Sequence, residues 1–437
     1  MRPLVAIGLT LLTFIALAAC AAPTPIPTPS AVSPTAAPPT SVPANRAPLR
    51  PFPQHTAYTA GTIKPQHPQA ALDAAVLAGF RTWKKAYLKS GCGAGRYYVD
   101  PGPDVSGGKL ARSISISEGH GYGMVITAFM AGADPDARQI FDGLYAFFRD
   151  HPSAGSPDLM AWKQLEGCAN IDLRNTSSAT DGDMDIAYAL LLADRQWGSD
   201  GAINYKQAAL QVIAALKSET LNPNTHTLLL GDWVSPNDAK YRGTRSSDFM
   251  PEHLRAYAAA SGDAEWTRVA DATYTLIANM QRAASPGSGL LPDFIEDIAT
   301  KPRPADPGFL ETDADGRYGY NACRVPWRIA TDYLLAGDQR AQTVVRPINT
   351  WLRTATGGDP YNVMGGYKLD GTAAVNYYEP AFAAPFAVGT MVDVENQEWL
   401  NAAWKRLTDG TSDGYYSDTL NMQALIVMSG NWWSPRN

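Results

Sequence analysis

Charge is scarce in this chain, and the spacings that hold a metal ion are missing from it. Asp, Glu, Lys and Arg supply 18% of 437 residues, and the net charge is −6. No basic stripe interrupts this, so the electrostatic footprint of a nucleic-acid partner is excluded. The six histidines are scattered, and neither H-x-x-x-H nor C-x-x-C occurs, so no metal site is indicated. No apolar run reaches the ~20 residues that a membrane-spanning helix needs. Cysteine is rare too. Beyond Cys20 there are Cys92, Cys168 and Cys323, and three thiols cannot all pair within one chain. Cys92 (GCGAG) and Cys168 (EGCAN) both lie in loop-like sequence, but spacing alone leaves their pairing open. What the chain does have is apolar mass: 45% hydrophobic residues over this length can bury a large core.

Residues 1–20 read as an export signal, with Arg2 at the positive end, an apolar stretch over Leu4–Ala18, and Leu17-Ala18-Ala19 leading into Cys20. A cysteine in that place resembles the bacterial lipoprotein signal, in which it is lipidated and begins the mature protein. The alternative is an ordinary signal peptide cut nearby. Either way the protein is expected outside the cytoplasm, secreted or held at the cell surface, with the membrane touched only through that anchor. Residues 23–53 carry 11 prolines in 31 positions. Such sequence cannot form a core and is expected to act as an extended spacer, giving a linker over 21–53. One catalytic domain is expected over 54–437.

From residue 68 on, apolar residues recur at intervals of three and four, as in Ile186, Leu190, Ala193 and Trp197. The pattern predicts twelve helices, near 69–88, 118–132, 135–150, 183–197, 203–217, 248–260, 264–282, 325–336, 340–356, 379–390, 396–407 and 416–429. Gly132, Gly262 and Gly337 supply stops. Tight turns between neighbours imply six antiparallel hairpins, and closing six hairpins into a ring gives an all-α, (α/α)6 barrel. The longer links (89–117, 151–181, 218–247, 283–324, 357–378) are rich in Gly, Pro and aromatics. Helices of alternating direction would gather these links at one end, where a site belongs.

Two stretches concentrate the chemistry. In Ser113–Gly132 a carboxylate, Glu118, stands where small polar residues give way to an apolar helix. Ser115 and Glu118 have capping-box spacing, which is the structural reading. Against it, His120, Tyr122 and glycines at 119, 121 and 123 crowd the same helix start, a composition that costs helix stability and suits a ligand. In Ser178–Trp197, Asp181, Asp183 and Asp185 open a second helix, where carboxylates favour the positive dipole end. A calcium loop would need a later glycine and glutamate, and apolar Ile186–Leu192 stands there instead. Two acids on separate helix starts beside one cleft suit glycoside hydrolysis, and sugars also need flat aromatic faces. Tyr122, Trp162, Trp233, Tyr318, Tyr320 and Trp327 are the candidates.

Ala179-Thr180-Asp181-Gly182-Asp183, continuing through Ile186-Ala187, Ala189-Leu190-Leu191, Ala193 and Trp197, resembles the signature of glycoside hydrolase family 8 at every position. SEGHGYGM around Glu118, DWV (232–234), RSSDFMPEH (245–253) and NACRVPWR (321–328) are similar to family segments in the same order. The resemblance implies an (α/α)6 barrel and an endo-acting, inverting hydrolase of β-1,4-linked polysaccharide without metal or organic cofactor; a monomer is expected. It puts Glu118 at the general acid and Asp181 at a sugar-holding, ring-distorting position. Tyr122, Trp162, Trp233, Arg245, Asp248, Tyr320, Asn321 and Arg324 fall at substrate contacts.

One departure matters. Many members carry an aspartate as general base where this chain has Asn321, and an amide cannot take a proton from water. The chain resembles a branch of lichenases and chitosanases whose base is a glutamate in the preceding loop. That loop, 292–318, holds Asp293, Glu296, Asp297, Asp306, Glu311, Asp313 and Asp315. Glu311 is the expected base, because Phe309 and Leu310 before it are apolar enough to pin the loop. Glu296 and Asp313 are the reserves. Seven acids against Lys301, Arg303 and Arg317 leave this loop at −4, which would attract cationic chitosan. A β-glucan is the expected substrate, chitosan the alternative, and a sugar-binding protein without activity the rival.

Overall fold

The single buried stripes of outer helices and the burial of inner ones on most or all sides set the architecture. The computed structural model describes residues 47–102, 112–170, 176–410 and 412–436. The expected signal peptide, Cys20 and the spacer up to residue 46 lie outside the described residues. Twelve α-helices are present among them: α1 (Gln69–Tyr87), α2 (Ser117–Phe129), α3 (Ala137–Asp150), α4 (Thr180–Trp197), α5 (Tyr205–Glu219), α6 (Pro251–Ser261), α7 (Glu265–Ala284), α8 (Val325–Ala336), α9 (Gln339–Ala355), α10 (Pro380–Thr390), α11 (Gln397–Asp409) and α12 (Tyr415–Met428). In α9 only Ala341, Val344, Val345, Ile348 and Leu352 and two polar neighbours are buried, a single stripe at helical spacing. In α4, by contrast, every residue from Thr180 to Ala193 is buried, and in α10 every residue from Ala381 to Thr390. A helix buried all round has protein on all sides, so these belong to an inner layer.

The packing closes that layer into a ring. α2 meets α4, α4 meets α6, α6 meets α8, α8 meets α10, α10 meets α12, and α12 returns to α2. Outside it, α3, α5, α7, α9 and α11 each back the inner helix that precedes them in sequence. The sixth hairpin is not sequential: α1 backs α12, so the two ends of the barrel domain close the ring together. The fold is therefore the (α/α)6 barrel. Gly262 and Gly337 end α6 and α8 in the left-handed region, at φ 72° and 71°, as their stop role requires.

Residues 49–53, assigned above to the spacer, already belong to the body. The Leu49 amide donates to the Gln196 carbonyl at 2.8 Å, Arg50 lies 4.9 Å over the Trp433 ring, and Phe52 is buried. Proline-rich sequence hides this docking because its contacts are to residues more than a hundred positions away.

All five long links run into the N-terminal ends of inner helices, and short turns close the opposite end. The links carry short antiparallel strands, including β1 (Leu88–Ser90) with β2 (Tyr97–Val99), and β3 (Ser113–Ile116) with β4 (Lys163–Leu165) and β5 (Ala169–Asn170). Cys92 and Cys168 form a disulfide that clips two of these links together, and Cys323 is free and buried. The bridge closes a span of 76 residues. Replacing both cysteines by serine is expected to cost about 2–5 kcal/mol of stability. Thermal melts with and without reductant check this, and the Cys→Ser pair should be indifferent to reductant.

Candidate active site

The first turn of α2 approaches α4 more closely than side chains would permit. A Cβ on Gly121 would meet the Gly182 carbonyl oxygen at 2.9 Å, and one on Gly182 would meet the Glu118 amide at 2.8 Å. Gly119 and Gly123 are likewise filled from outside, by Tyr415 and Val99. The glycines around Glu118 thus serve helix packing rather than a ligand, which corrects the expectation from composition. His120 is core as well: its Nε2 lies 2.9 Å from the Leu144 carbonyl, its ring stacks on Phe147, and burial lowers it to about 4. What this close approach achieves is to set Glu118 and Asp181 side by side at one mouth.

The capping box does not form. α2 starts at Ser117 without a side-chain cap, and the Glu118 carboxylate turns instead to Arg324. Arg324 stands in the 3-10 turn before α8 and is 2% exposed. Its Nη1 donates to Glu118 Oε2 at 2.5 Å, to Tyr122 Oη at 2.9 Å and to Asp181 Oδ2 at 3.0 Å. Arg245, in the link before α6, donates to Asp181 at 2.9 Å and to Asp248 at 3.3 Å. Two guanidiniums therefore flank Asp181, and one reaches Glu118.

That asymmetry separates the two acids. Burial disfavours charge on both. At Asp181 the Arg245 and Arg324 guanidiniums outweigh it and hold the carboxyl below its usual range. At Glu118 burial prevails, Arg324 opposes it and the Asp181 charge adds to it, so the carboxyl is pushed up to about 7. One acid keeps its proton near neutrality while its neighbour does not, the division of roles that acid–base catalysis needs.

The other two aspartates of the α4 start have separate partners. Asp183 accepts from the Met160 amide at 2.8 Å and so anchors the 151–181 link; burial raises its pKa. Asp185 points down the barrel to Arg328 and His253, which hold it low against burial. Thr180 does not cap α4; its hydroxyl donates to the Leu229 carbonyl. Positions two apart on one helix have thus been sent to a site, a loop and the core.

Asn321 joins the site to the acidic loop. Its Oδ1 accepts from Arg324 Nη2 at 2.9 Å, and its Nδ2 donates to Glu311 Oε2 at 3.0 Å. The amide bridges where an aspartate would set two carboxylates against each other. Phe309 pins the loop as expected, buried against Phe294 and under Lys240. Leu310 does not; it is 37% exposed. The turn is shaped instead by Asp315, whose carboxylate accepts the Leu310, Glu311 and Thr312 amides at 2.6, 3.0 and 2.8 Å. Glu296 is locked between Arg242 and Arg303, and Asp297 and Asp306 pair with Arg303. Glu296, Asp297 and Asp306 are thus held by arginines and Asp315 by backbone amides, so the loop is not a free negative rim.

Of the aromatic candidates, Trp233 and Tyr320 are exposed, while Trp162 is half-buried with the Lys163 ammonium 5.4 Å over its ring. Trp233 and Tyr320 are 36% and 44% exposed, and the Trp162 carbonyl holds the start of α2 by accepting the Ser117 amide. Tyr318 and Trp327 are core. Tyr122 and Asp248 are enclosed too, so they act on Arg324 and Arg245 and have no surface to offer a sugar. Sequence reasoning missed Tyr416, whose ring lies 5.9 Å from Arg324, together with Tyr377 and Glu379. The Tyr-Tyr pairs at 377–378, just before the Glu379 cap of α10, and at 415–416, the start of α12, were the available signal.

Comparison with known proteins shows the family and the fold. The model of the family described as glycosyl hydrolases family 8 matches residues 51–430. A β-glucanase of Niallia circulans is 48% identical over 89% of this chain and 92% of its own length. An endoglucanase of Bacillus sp. (strain KSM-330) is 39% identical over 89% and 82%. The apo structure of a β-1,3-1,4-glucanase from Paenibacillus sp. X4 matches with a TM-score of 0.84 at 48% identity, covering 89% of this chain and 100% of that one. A xylanase from Teredinibacter turnerae, at 19% identity and a TM-score of 0.71, shares the fold.

Proposed function

Because this chain belongs to glycosyl hydrolases family 8, we propose that it is an endo-acting, inverting glycosidase that cuts β-1,4-linked glucan, mixed-linkage glucan included. The observation that carries the reading is the pair of acids driven apart at one mouth, Glu118 up and Asp181 down. Glu118 donates its proton to the glycosidic oxygen as the bond breaks. Glu311, reached through the Asn321 amide, takes a proton from the water that attacks the far face of the anomeric carbon. Inversion leaves room for that water when the carboxyls stand roughly 6.5–9.5 Å apart. Asp181, fixed as a carboxylate between two arginines, holds and distorts the sugar ring and stabilises charge developing on it. Trp162, Trp233 and Tyr320 supply platforms along the groove.

Reducing-sugar release from barley β-glucan, carboxymethylcellulose and chitosan tests the reading, with β-glucan expected to be the best cut of the three. Binding of all three without release would identify a sugar-holding barrel instead. The proton on Glu118 also sets a pH dependence. A general acid must be protonated, so kcat/KM is expected to decline as the pH rises through about 7. A profile flat from pH 6 to 8 would speak against Glu118 as donor. We also propose export and lipid anchoring at Cys20, for which incorporation of labelled fatty acid, lost in Cys20→Ser, is the measurement.

A further inference from the structure

Arg245 and Arg324, the two cations that divide Glu118 from Asp181, stand near the ends of two different links, and one residue bonds to the chain beside each. It is Asp293, 8% exposed, and the hydrolytic scheme gives it no part. Its main chain faces the Arg245 link. The Asp293 carbonyl accepts the Ser246 amide at 3.0 Å and the Ser246 hydroxyl at 3.2 Å, directly after Arg245. The strand that begins beside Asp293 then pairs antiparallel with Thr244 and Arg245, Phe294 standing opposite Arg245 itself. Its side chain faces the Arg324 link. Oδ1 accepts the amides of Gly319, Asn321 and Ala322 at 3.0, 3.0 and 2.7 Å, where the chain enters the turn Ala322–Arg324.

Three donors on one oxygen curl that segment around a carboxylate, as the amides of a nest curl around an anion. The curl aims two side chains of the site: Asn321 reaches Glu311, and Arg324 reaches Glu118. The approach leaves no room for a side chain, since a Cβ on Gly319 would lie 2.2 Å from Asp293 Oδ2. Burial pushes Asp293 up to about 7, with the amides opposing and the Glu311 charge adding. An amide of the same shape, neutral and with the same acceptor oxygen, is therefore a close replacement for it.

We propose that Asp293 is a positioning residue for the cleavage, a brace that ties the Arg245 link to the Arg324 link and so places Asn321 against Glu311 and Arg324 against Glu118. The inference rests on the glycan-cleaving reading above for its effect on rate, whereas the placement itself can be read without turnover.

Asp293→Ala is expected to lower kcat on barley β-glucan about 10²-fold, the size of a small misplacement of reacting groups. Asp293→Asn keeps the acceptor for the three amides and should stay within about fivefold of the unmodified protein. Equal losses in the two, or none in Asp293→Ala, overturn the assignment. Gly319→Ala reaches the same contact from the other side, changes no charge and should lose about as much as Asp293→Ala. In the double variant the clash has gone, so the two losses should not multiply; multiplied losses overturn the brace. The second readout is a carbon magnetic-resonance titration of the Glu118 carboxyl in glutamate-labelled protein, assigned by its absence from Glu118→Gln. Arg324 favours the charged form of Glu118, so loosening it in Gly319→Ala should raise the midpoint from about 7 by about one pH unit. Asp181 and Arg245 also face Glu118, and the main-chain bonds of Asp293 that hold the Arg245 link are left intact by this variant. A midpoint that stays in place overturns the proposal even where kcat falls. If the unmodified protein cleaves no polymer, the hydrolase reading fails and the titration alone decides the brace.

Discussion

Glu118→Gln is expected to lower kcat on barley β-glucan by about 10²- to 10⁴-fold, the range of a positioned general acid. The amide keeps the size of the side chain and an oxygen for Arg324, so the thermal midpoint should move little. The loss has a second signature. A substrate whose leaving group departs without protonation, such as a nitrophenyl cello-oligosaccharide, needs no donor, so the deficit should shrink on it. The alkaline decline in kcat/KM should vanish with the carboxyl that causes it. Equal loss on both substrates would show that Glu118 holds Arg324 in place without donating a proton.

Glu311→Gln is the other large effect, again about 10²- to 10⁴-fold in kcat with little change in KM. It lies opposite in logic, because the missing group activates water and an anion that needs no activation can replace it. Azide should restore turnover and leave a glycosyl azide of inverted configuration, detectable by nuclear magnetic resonance. The same addition should do nothing for Glu118→Gln on a polysaccharide. An unaffected Glu311→Gln would pass the role to Asp313, since Glu296 is held by Arg242 and Arg303. Asn321 matters here through geometry: its amide donates to Glu311 and accepts from Arg324, tying Glu311 to the arginine that holds Glu118.

The places of Glu118 and Asp181 at two helix starts were legible in the sequence, as was the apolar pin at Phe309, though not at Leu310, of the loop that carries Glu311. Each of those readings rests on neighbours in the chain. Glu379 and Tyr416 were not legible, because what distinguishes them is the company of Tyr320 and Arg324, some 60 and 90 residues away. The glycines at 119, 121 and 123 misled for the same reason. A missing side chain looks like room for a ligand until the helix that fills the space is known.

Periodicity by itself determined twelve helices, and the tight turns between neighbours paired them into hairpins that a ring can bury. That much follows from burial, which the order of residues encodes locally. Only the tertiary structure decided which acid keeps its proton. Glu118 and Asp181 are both carboxylic acids at the start of a helix, and nothing in their local sequence separates them. Asp181 is held below its usual range because Arg245 and Arg324 arrive from two other links and outweigh burial, whereas burial prevails at Glu118, to which only Arg324 is hydrogen-bonded, and pushes it up to about 7. Charge acts through space, so the chemistry of this mouth was fixed by which helix ends the ring brings together.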